Sequence, residues 1–247
     1  MKHILRILPA IAALLVSCQQ EDITPSGNIN RKAYTFYQDY YQVNVSDGIQ
    51  YTITPSDSDK VVIETDDNVQ AEISIKQVGD IIYIKRKEDS NVKWNRTTVK
   101  AKIQTAQTLY AIQGENGSIG TCDFSLWGLG GNLKIMLSGK SSFQSGISMG
   151  GGNLWVELSD SSEAILSGTA KETRLLSESG SIMNAYNLSS PNLILQIFMG
   201  GSKAYTTVTD KILAVDAKGG SLLYYKGSAT IISSSKFSEG ASAIPVN

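Results

Sequence analysis

The sequence predicts an all-β chain whose main part is a stacked β-solenoid with N-terminal strands and hairpins in front of it. Three observations carry this. The nonapeptide GGNLKIMLS at 130–138 returns as GGNLWVELS at 151–159, a shift of 21 residues. Corner-like fragments recur at similar spacing: ENGS, ESGS, MGGS and KGGS begin at Glu115, Glu178, Met199 and Lys218, and LSGK and LSGT at Leu137 and Leu166. Short apolar runs with strand alternation lie between them, and no amphipathic helical pattern follows residue 17. Such a period belongs to coils that bury a core only by stacking on their neighbours.

Residues 1–17, MKHILRILPAIAALLVS, place Lys2 and Arg6 ahead of an apolar run from Ile7 to Val16, the layout of a signal peptide. The run is too short to span a bilayer. Leu15-Val16-Ser17-Cys18 resembles the bacterial lipobox, so Cys18 is the expected lipidation site and the membrane the expected partner. Several acyl chains, at about 0.8 kcal/mol per buried methylene, anchor where one chain is marginal. Residues 18–30 are polar, with Pro25 and Gly27, and read as a flexible tether. Within them Gln20-Glu21-Asp22 resembles the acidic signal that sends some Bacteroidota lipoproteins to the outer face of the outer membrane; a periplasm-facing orientation is the alternative.

Removing residues 1–17 leaves 20 basic and 23 acidic residues and no histidine. Serine–histidine and cysteine–histidine catalysis and imidazole metal sites are therefore excluded, and no cofactor is expected. With Cys18 acylated, Cys122 stands alone beside a glycine corner and reads as a small buried apolar residue. Charged residues make up 18% and hydrophobic residues 41%, which marks a globular chain, and the formal charge of -1 gives nucleic acid no footprint.

Residues 31–113 read as an N-terminal strand region. YQVNVS at Tyr41, IQYTIT at Ile49, KVVIET at Lys60, AEISIKQV at Ala71, DIIYIKR at Asp80, TTVKAKIQ at Thr97 and TLYAIQ at Thr108 all alternate and are rich in β-branched and aromatic residues. Asp47-Gly48 predicts a hairpin between the first two, and Gly79-Asp80 another turn. Lys85, Arg86, Lys87, Lys93, Arg96, Lys100 and Lys102 gather around Trp94, as a basic patch for an anionic glycan or headgroup or as lysines guarding edge strands.

Residues 114–243 read as the coils. Corners at Gly117, Gly139, Asp160, Gly180, Gly200 and Gly219 give steps of 22, 21, 20, 20 and 19 residues. Six coils stacked at strand spacing make a column of about 29 Å. Alternation turns Leu133, Ile135 and Leu137 inward, then Leu154, Val156 and Leu158, then Leu193, Leu195 and Ile197, then Leu213, Val215 and Ala217. It turns Trp155, Ile194 and Phe198 outward, where they form a binding face or await a cover from the N-terminal strands.

Paired carboxylates for glycoside chemistry would have to stack in adjacent coils. Glu157 is followed at coil spacing by Ser177 and Ile197, and Asp160, Glu163, Glu172, Glu178 and Asp216 fall at other offsets. The GGxGxD calcium pattern is absent.

YYQVNVSDGIQYTIT, KVVIETDDNVQAEISIKQVGDIIYIKRK, TLYAIQGENGSI and SLLYYKGSATI together resemble the head GIN domain family, a domain of unknown function labelled an auto-transporter adhesin. The likeness runs from Arg31 to Ala243. It implies a right-handed, single-stranded parallel β-helix preceded by strands, in secreted or lipid-anchored proteins, with no catalytic residues to carry over. The expected function is a non-enzymatic envelope protein, an adhesin or glycan- or surface-binding module; the alternative is a β-helix polysaccharide lyase or hydrolase using carboxylates alone. Candidate surface residues are Trp94, Lys85, Arg86, Lys87, Arg96, Trp155 and Phe198.

Overall fold

The computed structural model describes residues 22–126, 128, 131–149 and 151–246. Residues 1–21, with the signal peptide and Cys18, lie outside them. The strands before the coils are β1 (Ile29–Thr35), β2 (Gln42–Val45), β3 (Gln50–Pro55), β4 (Lys60–Asp66), β5 (Ile73–Val78), β6 (Ile81–Arg86) and β7 (Lys100–Thr105). The coils contain β8 (Ala111–Gly114), β9 (Ile119–Leu126), β10 (Asn132–Leu137), β11 (Ser142–Ser148), β12 (Asn153–Leu158) and β13 (Glu163–Thr169). They continue through β14 (Glu172–Ser177), β15 (Ile182–Phe198), β16 (Lys203–Ala214), β17 (Leu222–Lys226), β18 (Thr230–Ile231) and β19 (Ser242–Pro245). Two single-turn 3₁₀ segments lie at Gln70–Glu72 and Trp94–Arg96.

Each coil contributes one strand to each of two parallel stacks. Sheet A runs β6, β2, β8, β10, β12, β14, the second half of β15, the second half of β16 and β18. Sheet B runs β7, β3, β9, β11, β13, the first half of β15, the first half of β16, β17 and β19. The echo at 130 and 151 is direct neighbourhood: Leu133, Ile135 and Leu137 pair in register with Leu154, Val156 and Leu158. Ile82, Val43, Ile112, Ile135, Val156, Leu175, Leu195 and Ala214 form one buried inner column along sheet A.

On the inner side of sheet B, Tyr51 and Phe143 stack their rings 6.1 Å apart across the intervening coil. Gly120 separates them, and a Cβ there would overlap the Tyr51 ring. The missing side chain is what lets two aromatics meet across a coil.

The N-terminal strands are part of this stack. β2 lies between β6 and β8, and β3 between β7 and β9, all parallel. The expected Asp47-Gly48 hairpin is therefore corrected: the two residues, at φ of 63° and 71°, form a coil corner. Dipeptide chemistry favours the turn but does not choose whether the flanking strands pair with each other or with other coils. Gly79-Asp80 does join an antiparallel pair, β5 with β6. Beyond β7 the order turns antiparallel, with β4 on β7 and β1 on β4, so β5 and β1 are the edges at this end.

The tether is also shorter than expected. Ile23 bridges Val92, its N–H reaching the Asn91 carbonyl at 3.0 Å, and the Gly27 N–H donates to Asp66 at 2.6 Å. A polar, Pro- and Gly-containing segment reads as loose, yet its backbone groups find fixed acceptors here.

All six expected corners are present. Asn116/Gly117, Gly139/Lys140, Asp160/Ser161, Ser179/Gly180, Gly200/Gly201 and Gly219/Gly220 each hold two successive residues at positive φ. The same geometry occurs at Asp47/Gly48 before them and Glu239/Gly240 after them. A buried serine follows each of the six, and in Ser141, Ser162, Ser181, Ser202 and Ser221 its hydroxyl donates to the carbonyl three residues back at 2.6–3.0 Å. Two left-handed residues reverse the chain tightly, and the hydroxyl adds a second donor to a carbonyl that, for Ser141, Ser162, Ser181 and Ser202, also accepts the serine's own N–H at 3.2–3.4 Å.

Candidate binding sites on the solenoid surface

Of the sequence-predicted surface residues, Phe198 is overturned: it is fully buried. A bulge at Gln196 shifts the ladder from Leu175↔Leu195 to Leu176↔Ile197, so the alternation inverts and Ile197 turns outward in place of Phe198. Leu213 and Val215 are corrected in the same way. The coil step there is 19 residues, which pairs Ile194 with Leu213 and Leu193 with buried Ile212. Val215 is 46% exposed, and Ala217 regains the inner column beside Phe198.

The basic patch divides. Ile82 and Ile84 of β6 face the core, Arg86 follows their phase, and its guanidinium lies 4.3 Å from the centre of the Trp94 ring. Burial lowers the Arg86 pKa from its ordinary value, partly offset by Asp47. Its Nε is shielded from solvent without an acceptor, and a Cβ on Gly48 would come within 3.1 Å of its Nη2. This pair closes the end of the core at the Asp47 corner. Lys85 is held by Glu88 at 2.8 Å, and Lys87 and Arg96 are exposed. The edge-guarding role expected of this group does not hold, because β6 and β7 are both flanked by strands. Of the two edges, β1 carries Arg31 and Lys32 and β5 carries Lys76.

Trp155 does face outward, on sheet A, with nothing from the N-terminal strands paired over it. Its register neighbours are Lys134 in the coil before and Arg174 in the coil after, whose charges lie 5.3 and 5.9 Å from the ring centre. Lys134 pairs with Glu157 at 2.8 Å, and Arg174 Nε with Glu172 at 2.7 Å, leaving further donors on both cations. The indole N–H is screened from solvent and has no acceptor among the described residues. Beside the ring a groove of about 350 Å³ is bounded by Tyr110, Asn132, Asn153 and Arg174.

The column through Glu157 holds Met136, Leu176 and Ile197, so Leu176 occupies the place expected for Ser177, and Glu157 is the one carboxylate among these four. The 19-residue step that pairs Phe198 with Ala217 brings Asp216 beside Ile197, two coils beyond Leu176 and so not adjacent to Glu157. Glu178 does share a groove of about 260 Å³ with Glu157. Among the described residues no cluster of three carboxylate, cysteine or histidine side chains could hold a metal. Cys122 is half-buried against the core, and burial pushes its thiol up to about 11, which keeps it protonated and unreactive at neutral pH.

One feature escaped the sequence reading. Tyr186, Tyr205 and Tyr224 line the outer face of sheet B; the first two meet edge to face at 5.4 Å, the last two stack at 5.1 Å, and Lys226 lies 4.9 Å over Tyr186. Their regular spacing of 19 residues, one coil each, was the available signal.

Residues 39–229 match the family described as "Putative auto-transporter adhesin, head GIN domain". The chain belongs to the head GIN domain family. Solved structures similar to this head GIN domain include a "putative adhesin" from Bacteroides fragilis, 19% identical with a TM-score of 0.71, covering 90% of this chain and 98% of that one. A "putative adhesin" from Parabacteroides merdae is 17% identical with a TM-score of 0.64, covering 92% and 99%. A "Putative lipid binding protein" from Parabacteroides distasonis is 15% identical with a TM-score of 0.66, covering 92% and 100%. At these identities the likeness establishes the fold. No curated protein is similar enough in sequence to match.

Proposed function

We propose that this head GIN domain is a lipid-anchored, non-enzymatic envelope protein whose sheet A groove binds an acidic glycan or the acidic surface of another envelope molecule. The observation that carries the reading is Trp155 between Lys134 and Arg174, with an unsatisfied indole N–H beside a groove. An aromatic ring offers apolar contact at low entropic cost, the spare donors of the two cations reach a carboxylate or sulfate, and the buried N–H gains an acceptor. The adhesin description of the family agrees with a surface role.

The test is a glycan and matrix-protein array probed with the acyl-free mature chain and with Trp155→Ala. Acidic ligands should be retained by the parent, weaken with salt and be lost in the variant. Identical profiles for the two proteins would overturn the groove assignment, and sugar ends appearing on acidic polysaccharides would overturn the non-enzymatic one. Anchoring is tested separately: Cys18→Ala should move the protein out of the membrane fraction, and its retention there would count against acylation. Digestion of the protein by protease added to intact cells would place it on the outer surface, and protection would place it facing the periplasm.

A further inference from the structure

Sheet B carries a second concavity of different chemistry. Bulges on two of its strands open it: β9 slips against β11 between Gln144 and Gly146, and β15 slips against β13 between Ile165 and Ser167. The second bulge leaves Ala185 and Tyr186 unpaired with β13 before Asn187 rejoins the ladder opposite Ser167, and the resulting cleft of about 390 Å³ is lined by Tyr186, Gln144, Asn184, Asn187, Thr121 and Ser167, among others. None of its lining residues carries a charge, in a chain that is 18% charged. The carboxamides of Gln144, Asn184 and Asn187 form no hydrogen bond with another described residue.

Gln144, Ile165 and Asn184 occupy one column in three successive coils. The two amides therefore stand about 10 Å apart, two strand spacings, with an aliphatic floor between them. Each amide presents one acceptor oxygen and an NH₂ donor side by side, the complement of a pair of adjacent hydroxyls that must both give and accept. The lining residues offer a charged ligand no counter-charge, Lys226 lying over the Tyr186 ring without itself lining the cleft, and a purely apolar ligand would leave the amides unpaired at a cost. We propose that this cleft binds a short neutral saccharide, with Gln144 and Asn184 taking hydroxyl pairs of sugar units two apart along the chain and Tyr186 packing against a ring. The site is on the opposite sheet from the Trp155 groove and does not depend on it.

Calorimetric titration of the mature chain with cellohexaose, maltohexaose and mannohexaose, alongside an oligogalacturonide, tests the proposal. At least one neutral oligosaccharide should bind saturably, with an affinity unchanged between about 0.05 and 0.5 M salt. The double variant Gln144→Ala/Asn184→Ala should weaken it about tenfold, as loss of two hydrogen-bonding groups implies. Tyr186→Ala should weaken it and Tyr186→Phe retain it. Trp155→Ala should leave it intact. Because the two amides are exposed, melting curves of their variants should match the parent and exclude misfolding as the cause. The proposal is overturned if no neutral saccharide binds, if the affinity falls with salt, or if Trp155→Ala rather than the amide variant abolishes binding.

Discussion

Two aromatic residues drawn from one outward-facing prediction separate cleanly at the scale of single side chains. Phe198 is a core residue with no exposed surface, whereas Trp155 stands on the outer face between two cations. Phe198→Ala should cost about 3–5 kcal/mol in urea unfolding, because it removes a buried ring and leaves a cavity between stacked coils. Trp155→Ala should cost no more than about 2 kcal/mol, chiefly the two cation contacts, while removing ligand binding. Trp155 was legible because its strand keeps perfect alternation. Phe198 was not, because a single bulged residue at Gln196 exchanges inside for outside and nothing in the local residue types announces it.

At the level of the element, the corners act as a column of equivalent turns with unequal residues. Asp160 and Ser161 are both non-glycine at φ of 54° and 61°, a conformation that costs an L-residue about 1–2 kcal/mol. Ser161→Gly should therefore raise stability by about 1 kcal/mol. At the equivalent corner, Gly200 has φ of 68° and a Cβ there would lie 2.8 Å from the Ser179 nitrogen, so Gly200→Ala should lower stability by at least about 1 kcal/mol. Paired thermal melts read both, and like signs would show that the corners are not equivalent. The Gly, Ser and Asn punctuation made these turns readable. Asp47-Gly48 was misassigned because the same dipeptide serves a hairpin and a coil corner equally, and the choice belongs to the partner strands.

For the whole molecule, the buried ionisable groups set an alkaline limit. Burial raises Cys122 to about 11 and Tyr40 to about 12, against about 8.5 and 10 in an unfolded chain. The unfolded state thus releases its protons first, so the contribution of these two groups is level below about pH 8.5 and falls as pH climbs toward 12. Urea midpoints between pH 7 and 11 should show the decline, and Cys122→Ala should flatten its first part. A midpoint that rises over this range would contradict the burial of both groups. The sequence by itself determined the all-β class, the coil period, the six central corners and the inner columns of β10 and β12, since these follow from local residue chemistry repeated at fixed intervals. Only the tertiary structure decided that the N-terminal strands join the stack, that β6 and β7 are interior, and which residues beyond the bulges face solvent. It also brought Gln144, Asn184 and Tyr186 to one cleft, because each of those outcomes depends on the register between coils, and a slip of one residue there leaves composition unchanged while exchanging the two faces of a strand.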